Sequence, residues 1–238
     1  MIENRRIINL HLNIYIVLVC FLMGTLGLFL LISLDDYEFR ELTCGILQYS
    51  VYTVYTQFGF FIFPIFAILF ICEDYKNCNI AFYQLLGIDI FKYFIGKLKW
   101  VMIYLSIGNL IVAISSCILF VDFSHFVYFF LKIENVTLYI MMVSMTISMF
   151  LKKTMLSYCA NFGLWVGSII LSTTSKYFSV LCFFDASLYR HKYAESIFNG
   201  EKIDNRNILL ELAYNIVVFS LVSVGVRLNR KRWGKYGI

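Results

Sequence analysis

Residues 73–100 read EDYKNCNIAFYQLLGIDIFKYFIGKLKW, a polar island set between two long apolar runs, Tyr49–Cys72 and Trp100–Val121. A connection between two membrane crossings needs no helix of its own. This one contains an amphipathic segment, Ile80-Ala-Phe-Tyr-Gln-Leu-Leu86, followed by Gly87 and a second apolar segment, Ile90-Phe-Lys-Tyr-Phe-Ile95. Such a segment touches something at the membrane surface.

The island stands out because its surroundings are so apolar. Hydrophobic residues fill 61% of the 238 positions and charged residues 15%, and the mean hydropathy is +0.77. A soluble domain is about half apolar and about a quarter charged, so this is an integral membrane protein. A hydrocarbon core about 30 Å thick takes about 20 apolar helical residues to cross. Six runs qualify: 13–34, 49–72, 100–121, 136–151, 154–172 and 209–226. The fourth is short, and only Lys152-Lys153 separates it from the fifth. The alternation of a β-barrel is absent, and spans that satisfy their own backbone are then α-helical. No repeat or low-complexity linker divides the chain, so residues 1–238 form one all-α transmembrane domain.

With six spans both termini share a side. That side carries Arg5, Arg6, Lys76, Lys92, Lys97, Lys99, Lys152, Lys153, Arg227, Arg230, Lys231, Arg232 and Lys235, thirteen of the twenty Lys plus Arg. Positive loops stay in the cytoplasm, so the termini and the island are predicted to face inward. The basic tail from Arg227 to Lys235 reads as a topology anchor that could also meet anionic lipid. Residues 1–12 either lie along the inner interface or simply begin the first span, which is read as retained rather than cleaved.

Within the spans, Pro64 is expected to kink the second, because its ring removes one i−4 hydrogen bond. Gly24 and Gly27 in the first span, and Gly163 and Gly167 in the fifth, would let another helix approach closely. All four are candidates for a contact between protomers. Before the last span, Tyr177–Phe184 is apolar enough to dip into the outer leaflet. Cys44 and Cys182 are the two cysteines assigned to the outer side and the one pair that could form a disulfide; buried thiols are the default reading.

No G-x-x-x-x-G-K loop, zinc spacing or G-x-S-x-G elbow is present. The histidines His11, His125 and His191 are scattered. An enzyme is therefore not expected, nor a cofactor in this chain, nor a nucleic-acid partner. No Asp, Glu, Lys or Arg falls at the middle of any span as bounded above. Ion-coupled carriers usually place one there or break a helix. The mid-span polar residues are Gln57, Asn109, Ser115, Ser116, Ser144, Ser148 and Asn161, suited to interhelical hydrogen bonds. Any uphill transport then draws its energy from another subunit.

The island resembles the corresponding loop of the permease subunit of type-2 ABC exporters, on Glu73, Leu85, Leu86, Lys97 and Leu98. Six spans, inward termini and an outer-leaflet segment before the last span extend the resemblance over the chain. Asn77 and Asn79 after Glu73 add a narrower similarity to the bacteriocin (lantibiotic) immunity group. Where the family has a Pro-x-Ser-Arg turn, this chain has Gly87-Ile-Asp-Ile90.

The resemblance implies that the short helix is a coupling helix, with Tyr83, Gln84, Leu85, Leu86, Gly87 and Asp89 at the ATPase contact and Glu73 and Lys97 anchoring the loop. Tyr83, Gln84, Gly87 and Asp89 are expected on the exposed side, and Ile80, Phe82, Leu85 and Leu86 toward the bundle. It further implies two ABC ATPase subunits holding ATP and Mg, a second permease, identical or related, and a bacterial cell membrane. The expected substrate is a hydrophobic or amphipathic peptide or a lipid, since no fixed charge marks the candidate interface. The alternatives left open are the substrate-binding membrane component of an energy-coupling-factor importer, a non-transporting scaffold or sensor, and, for the loop alone, a helix that merely holds to lipid.

Overall fold

The computed structural model describes Ile7 and residues 11–38, 43–174, 182–186, 206–230 and Trp233. Its helices are α1 (Leu12–Glu38), α2 (Cys44–Gln57), α3 (Gly59–Lys76), α4 (Asn79–Leu85), α5 (Ile90–Phe120), α6 (Phe126–Leu151), α7 (Thr154–Thr174) and α8 (Arg206–Leu228). No strand occurs among the described residues. Among the described residues five of these helices are long and apolar enough to cross a membrane, and the bent pair α2–α3 makes a sixth crossing if its two helices form one span.

The hub is α6, packed against α2, α3, α5, α7 and α8. Ile133, Val136, Ile140, Met141, Met145 and Met149 are fully enclosed along it, at the three- and four-residue spacing that lines one helical face. On one flank α1 lies against α2 and α5. A Cβ on Gly27 would stand 2.8 Å from the Cα of Val51, so the α1–α2 crossing requires glycine there. Gly24 faces the Val112 side chain of α5, whose Cγ1 would lie 3.0 Å from a Cβ there. Both glycines pack against neighbouring helices of the same chain.

Several span boundaries also change. The second span is two helices bent by 54°. The break falls at Phe58 and not at Pro64, which α3 runs straight through. The proline deprives the Phe60 carbonyl of its donor, and next to the break Gln57 Nε2 donates to Asp185 Oδ1 at 2.8 Å. The fourth span starts ten residues earlier than its apolar run, at Phe126. Lys132, Glu134 and Asn135 therefore lie inside a helix. Hydropathy rejects them because it cannot see their partners: Lys132 pairs with Glu211 of α8 in the interior, and Glu134 accepts from Asn109 of α5 at 3.3 Å. The expectation is that no ionisable group falls at the middle of a span; Lys132 and Glu134 stand in the first half of α6 and Glu211 near the start of α8.

Residues 90–95 are not a separate segment but the opening of α5. Its 31 residues extend about 46 Å at 1.5 Å per residue, so the helix projects well beyond a bilayer core. Cys44 and Cys182 are both free thiols. The Cys44 thiol points to the carbonyls of Ser116 and Asp122 and that of Cys182 to the Ser168 hydroxyl, so no disulfide joins them. Of the outer-leaflet stretch, Cys182, Phe183 and Phe184 are described, and Phe184 is buried. Tyr177–Leu181, most of the N-terminal segment, and Lys231, Arg232 and Lys235 of the tail lie outside the described residues.

Candidate docking site

The island folds around two charges. Asp74, in the last turn of α3, and Lys97, on α5, meet at 2.7 Å with both side chains fully buried. The carboxylate also accepts from Tyr93 Oη at 2.8 Å and from Asn79 Nδ2 at 3.2 Å. The Lys97 ammonium lies 3.7 Å from the centre of the Phe70 ring. A buried ion pair holds only when its remaining bonds are met in this way. Of the two anchors that the resemblance implies, Lys97 pairs with Asp74. Consecutive helical residues point 100° apart, and Glu73 is left half-buried on a different face.

Asn79 opens α4, so its bond to Asp74 fixes where the helix starts and how it is rotated. Ile80 and Tyr83, one turn apart, face inward and are buried. The Tyr83 ring meets Tyr93 edge-on at 5.1 Å. The outward residues are Phe82, Leu85 and Leu86, at 52%, 87% and 51% exposure. The expected faces are therefore exchanged: Tyr83 is inside, and Phe82 and the two leucines are outside. An aromatic ring that fills the gap between Tyr93 and Lys97 outcompetes leucine for the inner position, because the site beneath the helix is polar as well as tight.

Beyond Leu85 the chain leaves the helix by a Schellman turn. Ile88 N–H donates to the Tyr83 carbonyl at 3.0 Å and Gly87 N–H to that of Gln84 at 2.9 Å, with Gly87 at φ +68°. That is the left-handed conformation in which glycine alone escapes a steric penalty. Gly87-Ile-Asp-Ile90 is thus a defined helix stop leading to Asp89, the residue before α5.

The end of α8 closes on the same region. Gln84 Nε2 donates to the Trp233 carbonyl at 2.6 Å, and Trp233 packs on Tyr93 at 5.9 Å. Arg230 pairs with Asp89 at 3.2 Å, and Arg227 lies over Phe91. The loop and the C-terminal end of α8 therefore share one side of the bundle. Gln84 and Asp89 are engaged within the chain and only partly exposed. What remains for a partner is a rigid apolar edge of Phe82, Leu85 and Leu86 with Gly87 beside it, among the exposed lysines Lys76, Lys92 and Lys99. Gly163 and Gly167 lie far along the sequence on α7, with nothing near the place of a Cβ.

An all-helical bundle with five or six candidate crossings among the described residues is the architecture of a multi-pass membrane protein. The chain belongs to the YydJ peptide export permease family, whose model matches residues 1–238. A relative in Bacillus subtilis (strain 168), described as "Probable peptide export permease protein YydJ", is 25% identical over 220 residues, covering 90% of this chain and 89% of that protein. No solved structure matches the chain. It is a multi-pass cell-membrane protein.

Sequence reasoning missed Asp74, Tyr93 and Trp233. The signal for the first was the acidic pair Glu73-Asp74, of which one member had to face inward. Nothing in the sequence pointed from Trp233 to Gln84.

Proposed function

We propose that this chain is the transmembrane subunit of an ATP-driven peptide exporter, powered by two separate ABC ATPase subunits that dock on α4. The observation that carries this is the apolar edge of Leu85 and Leu86, held rigid by the buried Asp74–Lys97 pair. Exposed leucines on a mobile loop would serve lipid as well. Leucines fixed by a buried ion pair, a Schellman turn and the α8 terminus can instead transmit force, because α4 cannot move without α3, α5 and α8. Positive-inside bias supports a cytoplasmic position for this end, where ATP and Mg would be held by the partner.

The exported substrate is a hydrophobic or amphipathic peptide, of which a bacteriocin is one kind. Two permeases, identical or related, would meet through the open Gly163–Gly167 face of α7. Family membership in the export permeases argues against an importer component and against a passive scaffold.

The test is replacement of Leu85 and Leu86 by Asp, followed by co-purification with the cognate ATPase. Both side chains are half or more exposed, so the fold is expected to survive while the complex is lost. An ATPase complex that withstands both changes would refute the docking assignment.

A further inference from the structure

The elbow of the broken span holds a piece of the chain's own backbone. Tyr52 Oη donates to the Phe184 carbonyl at 3.2 Å, and Ala186 N–H donates to Thr56 Oγ1 at 3.4 Å. Gln57 Nε2 donates to Asp185 Oδ1 at 2.8 Å. Tyr52 and Thr56 stand at i and i+4 on one face of α2, and Gln57 is the last residue of that helix. The aromatic pair of the segment is boxed as closely. Phe183 stacks on Tyr214 at 4.4 Å with the rings nearly parallel. Phe184 lies 5.2 Å from Tyr139 and is buried. The cavity left beside it, between Thr56, Trp165 and Ser168, has room for little more than a water molecule.

Two of these three hydrogen bonds go to backbone atoms, and the ring contacts ask only for aromatic surface. A pocket of aromatic walls with a few fixed polar groups orients a ligand without reading its full sequence. Transporter binding sites are typically formed by discontinuous helices, and the break at Phe58 lies directly beside Gln57.

We propose that this elbow is a peptide-binding site, and that Cys182–Ala186 occupies it as the chain's own surrogate for a peptide with two aromatic residues followed by an acidic one. The assignment deepens the peptide-export reading and rests on it. Peptide and segment exclude each other, so the segment leaves as the peptide enters. Tethering gives the segment an effective concentration of about millimolar, which is the level a free peptide of equal affinity must reach to displace it.

Cys182 is buried and reports the exchange. The full chain in nanodiscs, without any ATPase, is treated with a soluble maleimide, and modification of Cys182 is read by mass spectrometry. The displacing probe is a synthetic peptide, Leu-Ser-Phe-Phe-Asp-Ala-Ser, with a scrambled peptide as control. Cys182 modification is expected to accelerate about fivefold at roughly millimolar peptide. Phe184→Ala and Asp185→Ala weaken the segment but leave the pocket intact, so each should lower the peptide concentration required by about tenfold. Asp185→Ala carries the comparison if Phe184→Ala fails to fold.

Modification that ignores the peptide in the parent chain and both variants, or that responds equally to the scrambled peptide, overturns the proposal and makes the segment a fixed part of the bundle. Because no ATPase is involved, that result leaves the Leu85–Leu86 assignment standing, and failure of ATPase docking leaves this one untouched.

Discussion

Asp74 and Lys97 are 2.7 Å apart and wholly shielded from solvent, although they flank the loop that joins α3 to α5. The pair converts that loop into a strut. Asp74 ends one membrane helix, positions Asn79 at the start of α4, and is held by a lysine on the next membrane helix. Displacement of α4 is therefore felt by two crossings at once.

Removing one partner should cost far more than removing both. Lys97→Met strands a buried carboxylate and is expected to destabilise the protein by about 3–5 kcal/mol. Asp74→Asn combined with Lys97→Met should recover much of that loss, because an apolar side chain beside an amide leaves no isolated charge. Thermal unfolding of the four proteins in one detergent gives the coupling directly. Additive losses would mean that the pair is not the strut.

The spans were legible because apolar runs of the right length can only be helices in lipid. Their ends were less so. Phe126–Leu151 was shortened because Lys132 and Glu134 look like loop residues until Glu211 and Asn109 are placed beside them. The docking loop was legible as a loop with a helix, but its rotation was not. Hydrophobicity alone turns Leu85 and Leu86 inward, and only the three-dimensional site formed by Tyr93, Lys97 and Asp74 explains why Tyr83 goes there instead. Gly87 looks like a departure from a family turn in one dimension and is a Schellman stop in three.

Gly87→Ala should therefore loosen α4 without unfolding the protein. No atom lies near the place of a Cβ, so the cost is conformational, about 1–2 kcal/mol for a left-handed residue. Gly87→Asn, which tolerates that region, should lose less. Hydrogen exchange of the amides from Ala81 to Ile88 is expected to quicken in the alanine variant while exchange in α6 stays unchanged. Equal protection across α4 in both proteins would show that the turn does not set its stability.

The glycines of α1 and α7 should respond differently. Gly27→Ala drives a methyl into the Val51 backbone, and overpacking of this kind costs about 1–3 kcal/mol. A Cβ at Gly163 meets nothing among the described residues, so Gly163→Leu should leave the monomer's unfolding temperature unaltered while weakening self-association, or pairing with a related permease, measured by single-molecule photobleaching in bilayers. If Gly163→Leu leaves the oligomer intact, the α7 face is lipid-facing and the second permease sits elsewhere.

The turn at Gly87 has a counterpart at the other end of α5, where a β-branched residue occupies the left-handed position. Asp122 N–H donates to the Cys117 carbonyl at 3.1 Å and Val121 N–H to that of Ile118 at 3.3 Å, the same pattern, with Val121 at φ 53°. A non-glycine residue there bears about 1–2 kcal/mol of steric cost, and Val121 is almost fully exposed, so no burial offsets it. Val121→Gly gives back about 0.5–1 kcal/mol through the greater freedom of the unfolded chain and should still come out stabilised, by about 2–4 °C in unfolding temperature if the gain approaches 1 kcal/mol. The two ends then make a paired test, since the same geometry demands that Val121→Gly stabilise and Gly87→Val destabilise. A Val121→Gly protein that melts lower would mean that the valine makes a contact at the membrane surface worth more than its strain.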